Sequence, residues 1–288
     1  MTLIPRTDLP TALRAALAGV YQPPTNAIPT GIGGLNDLLT PGTLTVIAGR
    51  WGHGSDILAT NIARAASTDH GIPTLFTSCR DLDRVVMERL IAAQAGVKLS
   101  RLHSSKLTDD DRARIANVAD EVKVAPLFIN SDDRSISGVA RHITKTRAKL
   151  AVIEGCHLLL DEESVKDDAH RANIQSFELM RLARQAGIPI VVSVPLAARR
   201  DRPVDARPVL NDFGYRQPFV TSADVVILVH CPELNGESHR VDEIDIVVAK
   251  RRGGPTSNIT ARIQPEFDRI VDFPPPNNVI DFPSAGAL

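Results

Sequence analysis

Between residues 43 and 272, short apolar runs alternate with stretches in which apolar residues recur every three or four positions. Runs of strand length fall at 43–48, Thr74–Ser78, Leu127–Asn130, 150–153, 188–194, Val225–His230 and 244–249. Helical periodicity falls at 56–67, 82–95, 109–122, 136–148 and 169–186. Several strands are apolar without a break, as in Ile188-Pro189-Ile190-Val191-Val192, which is how strands covered on both faces read. This alternation predicts an α/β fold, a mainly parallel sheet with helices on both faces. After about residue 240 no helical pattern intervenes, so antiparallel edge strands are predicted there.

The two ends read differently. Leu9, Leu13 and Leu17, with Ala12, Ala16 and Val20, form a stripe at helical spacing, closed by Tyr21-Gln22-Pro23-Pro24. So short a helix is unstable alone and has to dock, on its own domain or on a neighbouring subunit. The proline pair is a stiff spacer that carries the helix outward. Beyond Asp272 the text Phe-Pro-Pro-Pro-Asn-Asn reads as a tail. The predicted organisation is a helix and spacer over 1–27, one α/β domain over 28–273 and a proline-rich tail over 274–288.

Composition narrows the classes. At 288 residues, 43% hydrophobic and 23% charged, the chain has ample material for one large core. No window of 18 uninterrupted apolar residues predicts a membrane span. The start lacks a basic region followed by an apolar one, and three scattered cysteines (Cys79, Cys156, Cys231) form no C-x-x-C, so a reduced, cytoplasmic setting is expected. Lys+Arg 33 against Asp+Glu 34 excludes a uniformly basic nucleic-acid binder. With one Trp, two Tyr and eight Phe, any nucleic acid would be held mainly by its phosphates.

The turn after the first strand carries the candidate chemistry. Gly49-Arg50-Trp51-Gly52-His53-Gly54-Ser55-Asp56 sits between a strand and a helix, the setting of the phosphate-cradling G-x-x-x-x-G-K-[ST]. Gly49 and Gly54 fall at the glycine positions, but Ser55 stands at the lysine and Asp56 at the magnesium-holding hydroxyl. Backbone N–H groups of such a nest survive these changes; the positive charge does not. Gly54-Ser55 also suggests a nucleophile elbow, yet Ile57 stands where that motif needs glycine. A glycine-rich turn without a ligand is the remaining alternative.

Ile28-Pro29-Thr30-Gly31-Ile32-Gly33-Gly34-Leu35-Asn36, this loop and Asn61 together resemble the RecA-like motor domain of DnaB-type replicative helicases. The resemblance continues through Thr74-Leu75-Phe76-Thr77-Ser78, Leu107-Thr108-Asp109-Asp110-Asp111, Asp205-Ala206-Arg207-Pro208 and Ser222-Ala223-Asp224. It ends in Ala249-Lys250-Arg251-Arg252-Gly253-Gly254-Pro255. It implies a RecA-like P-loop NTPase fold, with ATP and Mg2+ as cofactors. Nucleotide contacts would come from Gly49, Arg50, Gly52, Gly54, Ser55 and Asp56, and the metal would lie near Asp56 and Glu154. Lys250 and Arg252 match a finger pair that acts on the adjacent subunit's nucleotide. Asn211–Gln217 matches the loop facing single-stranded DNA, with Arg216 inside it and Arg199, Arg200 and Arg202 upstream. The 9–20 helix matches a linker docking each subunit on the next, which implies a homo-oligomer, six-membered or filamentous.

The departures concern chemistry. Where the family has a water-polarising glutamate this chain has Arg80. The magnesium-linked aspartate is Glu154, the glutamine three residues on is His157, and the phosphate-sensing glutamine is Pro195. Losing a positioned base costs two to four orders of magnitude in rate, and phosphoryl transfer relies on positioning and charge throughout. The replacements point to a ring-forming, nonhydrolysing or weakly active scaffold or regulator linked to DNA replication. Its partners would be an active helicase or another replication protein. The other reading is a divergent, active ATP-dependent helicase in which Arg50 or Arg80 supplies the missing charge. Arg80 is expected within salt-bridge reach of Asp56 or Glu154, filling the pocket from inside.

Overall fold

The computed structural model describes residues 9–10, 13, 17, 27–160, 165, 167–196, 206–237 and 239–273. At its centre lies β1 (Leu44–Gly49), buried at every position because its residues are apolar or small on both faces. It is flanked by parallel β5 (Ile190–Pro195) and parallel β6 (Val225–His230). Beyond β5 come β4 (Leu150–Glu154), β2 (Thr74–Ser78) and β3 (Leu127–Asn130), all parallel. Beyond β6 come β7 (Glu243–Arg251), β8 (Ser257–Gln264) and β9 (Arg269–Asp272), all antiparallel. The order β3-β2-β4-β5-β1-β6-β7-β8-β9 therefore joins a parallel body to an antiparallel edge, as the pattern predicted.

Strand alternation sends Val46 to one face of β1 and Ile47 to the other. Ile47 belongs to a core closed by Leu58 and Ile62 of α1 (Ser55–Arg64) and by Val86 and Leu90 of α2 (Asp83–Ala95). Val46 belongs to a core closed by Val139 and Ile143 of α5 (Ile136–Thr146) and by Leu179 and Leu182 of α6 (Asp168–Ala186). Between α2 and α5 run α3 (Leu99–His103) and α4 (Asp109–Val124). α4 starts where Leu107–Asp111 predicted: the Asp111 N–H donates to Thr108 Oγ1, and the Thr108 N–H donates to the Asp111 carboxylate.

Short elements were not resolved by periodicity. Five-residue α3 and six-residue α7 (Gln217–Ser222) are too brief to show a helical period, and β8 and β9 were foreseen only as an edge. The run at 188–194 begins pairing at Ile190 rather than Ile188, because Pro189 has no N–H to donate.

Leu9, Leu13 and Leu17 are helical, and they are 81%, 55% and 42% exposed. The rest of the 1–26 segment, Arg199, Arg200, Arg202 and the 274–288 tail lie outside the described residues. No helix among those described is long and apolar enough to cross a membrane.

Candidate functional site

The loop of residues 50–54 leaves the carboxyl end of β1 and feeds α1 through Gly54, whose φ of 89° is left-handed. A Cβ on Gly54 would stand 2.8 Å from Ile263 Cδ1, so the position needs glycine for both its φ and its space. On Gly49 a Cβ would meet Val229 Cγ2 at 2.5 Å. The packed sheet thus imposes the loop geometry that the spacing predicted.

What fills the mouth of this loop is the chain's own charge. Arg80, just past β2, donates from Nη2 to Asp56 Oδ2 at 2.5 Å and lies 3.7 Å from Glu154 Oε1. The other Asp56 oxygen accepts the Ser193 hydroxyl of β5 at 2.7 Å. Ser193 Oγ in turn accepts the Gly155 N–H at 2.9 Å. The guanidinium also lies 5.8 Å from the ring centre of exposed Trp51. Burial works against the Arg80 charge, but the hydrogen bond and charge of Asp56 outweigh it and raise its pKa.

Behind this pair lies a second guanidinium that sequence reasoning missed. Arg89 of α2 is buried and donates to Glu154 Oε1 at 2.5 Å, Asp81 Oδ2 at 3.1 Å, Asp268 Oδ2 at 3.0 Å and Thr60 Oγ1 at 2.7 Å. Glu154 Oε2 accepts the Ser78 hydroxyl at 3.0 Å. Burial pushes the Glu154 carboxyl above its ordinary value while Arg89 pulls it back, and burial raises Asp268 in the same way. One signal was available: Arg89 shares the inward stripe of Val86, Leu90 and Ala93 on α2, and a cation there requires buried counter-charges.

The cleft is lined by Gly49, Arg50, Gly52, Gly54, Ser55 and Asp56 from the loop side, with Arg80, His157 and Pro195 across. Its volume is about 110 Å³, against roughly 300–1,000 Å³ for ordinary small-molecule sites. His157 is held neutral, its pKa lowered to about 4 by burial and by Arg216. As arranged here, these residues do not fit a magnesium nucleotide: a carboxylate stands at the helix start, and the nearest guanidinium is engaged with it. The expected metal role of Asp56 and Glu154 is corrected accordingly. Both converge, but on guanidinium and hydroxyl partners, and no group of three or more His, Cys, Asp or Glu side chains suited to a metal occurs among the described residues.

Other predicted residues lie elsewhere. Lys250 pairs with Val226 near the amino end of β6, on the opposite edge of the sheet from the loop. Its ammonium donates to the carbonyls of Val220 at 2.7 Å, Thr221 at 3.3 Å and Ala223 at 2.7 Å, capping the carboxyl end of α7. Arg252 Nε lies 3.1 Å from Asp224 Oδ1. Within one chain both finger residues are therefore engaged, and far from Asp56 in the topology. Arg216 donates to the Pro195 carbonyl at 3.4 Å and stacks on Tyr215 at 4.4 Å.

A parallel sheet carrying a glycine loop between its central strand and the next helix defines a RecA-like ATPase fold. The chain superimposes on a solved helicase-type ATPase domain with a TM-score of 0.85 at 16% identity, covering 93% of this chain and 99% of that one. It matches a DnaB-like replicative helicase, solved for its interactions with primase, with a TM-score of 0.83 at 16% identity, covering 93% and 67%. Residues 27–272 match the DnaB-like helicase C terminal domain, and the chain belongs to that family. It is 28% identical to the replicative DNA helicase DnaB of Leifsonia xyli over 257 residues, 86% of this chain and 56% of that protein. It is 30% identical to that of Treponema pallidum over 254 residues, 85% and 56%. The chain thus spans little more than half the length of these relatives.

Replacing Arg89 with leucine leaves Glu154 and Asp268 buried without their cation, at a cost of about 3–5 kcal/mol near pH 8. Protonating the orphaned carboxylates relieves that cost, so the loss measured by urea unfolding is smaller near pH 5. An equal loss at both pH values would show that these carboxylates do not depend on Arg89.

Proposed function

We propose that this chain is a nonhydrolysing member of the helicase family that assembles with copies of itself as a scaffold or regulator in DNA replication. The observation that carries this reading is the Asp56–Arg80 pair closing the loop mouth, backed by Ser193, Glu154 and Arg89. In the related proteins the resemblance places a lysine, a hydroxyl and a base at Ser55, Asp56 and Arg80. Here an internal ion pair takes the place of both ligand and catalyst. The setting is cytoplasmic, and single-stranded DNA would run past Tyr215 and Arg216. ATPase assays on the purified protein should give no turnover above background. Ser55→Lys with Asp56→Thr should gain nucleotide binding without turnover, because Arg80 still stands where the base would act. Steady turnover by the unaltered protein would favour the active-helicase reading instead.

Assembly rests on the exposed leucines. Leu9, Leu13 and Leu17 present an apolar stripe to solvent. A groove of about 380 Å³ between α2 and α4 is lined by Met87, Leu90, Ile91, Ile115, Val118 and Val122. Seating the stripe of one copy in the groove of the next is a heterologous contact, which closes into a ring or runs on as a filament. The ring is proposed to be six-membered and to form without ATP; an active helicase or another replication protein can join it through the same contact. Leu13→Asp with Leu17→Asp, or Met87→Glu on the groove rim, should yield folded monomers in sedimentation velocity. If the unaltered chain sediments as a monomer at tens of micromolar (roughly where a 10⁻⁵ M contact shows), the assembly reading fails.

A further inference from the structure

The loop after β1 is fastened from behind by a residue with no part in the Asp56–Arg80 pair. His53 is buried, and its Nδ1 accepts the Cys231 N–H at 3.1 Å. The Cys231 thiol returns a longer contact, donating to the His53 carbonyl at 3.6 Å. Burial pushes that thiol up to about 12, so it remains a donor. The His53 ring stacks on His230, the last residue of β6, with centroids 5.7 Å apart. A loop that only cradles an anion offers its N–H groups to the ligand and needs no such side-chain anchor.

We propose that the neutral imidazole of His53 is a latch: it holds the loop of residues 49–54 against the end of β6, and adding a proton releases the loop while the sheet stays folded. As an acceptor at Nδ1, the ring carries its proton on Nε2. A second proton would go onto Nδ1, facing the Cys231 N–H, and the hydrogen bond would be lost. The charges around the ring disfavour that proton. Arg50 acts from the loop and His230 from β6; behind His230 stand Asp245 of β7, Glu237 and Arg207. Asp245 is already committed to Arg240 at 2.6 Å, Arg207 at 2.9 Å and the Thr260 hydroxyl at 3.1 Å, so it is not a ready counter-ion for His53. Burial, His230 and Arg50 lower the His53 pKa to about 4, so the latch is closed at neutral pH and opens in acid. The latch holds whether or not a nucleotide binds.

The chain supplies its own reporter. Trp51 is the sole tryptophan, two residues from His53, and 69% exposed. Its fluorescence should be followed from about pH 7.5 to about pH 4, with far-ultraviolet circular dichroism on the same samples. The latch predicts a Trp51 transition that precedes loss of secondary structure. His53→Asn, which keeps an acceptor oxygen but does not titrate, should lack that transition. Asp56→Asn, which removes the carboxylate under Arg80, should retain it. His53→Ala should show the acid-form signal at neutral pH, with the Cys231 amide exchanging about tenfold faster, the equivalent of one buried hydrogen bond. An unchanged acid transition in His53→Asn, its loss in Asp56→Asn, or unchanged Cys231 protection in His53→Ala would overturn the proposal.

Discussion

Charge has to be balanced where the carboxyl ends of β1, β2, β4 and β5 meet, because an unpaired carboxylate buried there costs several kcal/mol. Four carboxylates come together at this edge, from Asp56, Asp81, Glu154 and Asp268. Two guanidiniums answer them. Arg89 takes the three deeper ones and ties α2 to β4, to the start of β9 and to Thr60 on α1. Arg80 takes the outermost, Asp56, at the point where a ligand would enter. The fold therefore depends on an ion network at the position that related ATPases give to a ligand.

The rest of the site follows from that substitution. Gly49 and Gly54 keep the loop in its tight course because β6, β7 and β8 leave no room for a Cβ. The loop can keep this shape without a phosphate, since Ser193 fixes Asp56 and His53 fixes the loop to Cys231. Lys250 has a role within its own chain as a cap on α7, which explains its retention independently of any neighbouring nucleotide.

Much of this was legible in the sequence, for physical reasons that differ from element to element. Continuous apolar runs such as Val225–His230 announced buried parallel strands and set their bounds correctly. The Arg80–Asp56 contact was foreseeable because one residue follows β2 and the other opens α1, and both places face the same edge. Arg89 was hidden because a single cation in an apolar stripe gives no hint of which distant carboxylates surround it; Asp268 is 179 residues away. The His53–His230 stack was hidden likewise, since only the closed sheet brings the end of β6 against the loop after β1. Lys250 was read by family register, and its contacts with the α7 carbonyls depend on a helix too short to show a period.

The central claim is that an internal ion pair has replaced the nucleotide. Titration calorimetry of the purified protein with ATP and magnesium tests it most directly. The account predicts no saturable heat up to about 1 mM ATP, a binding free energy weaker than about −4 kcal/mol. Saturable binding in the micromolar range, with Arg80 and Asp56 unaltered, would contradict it.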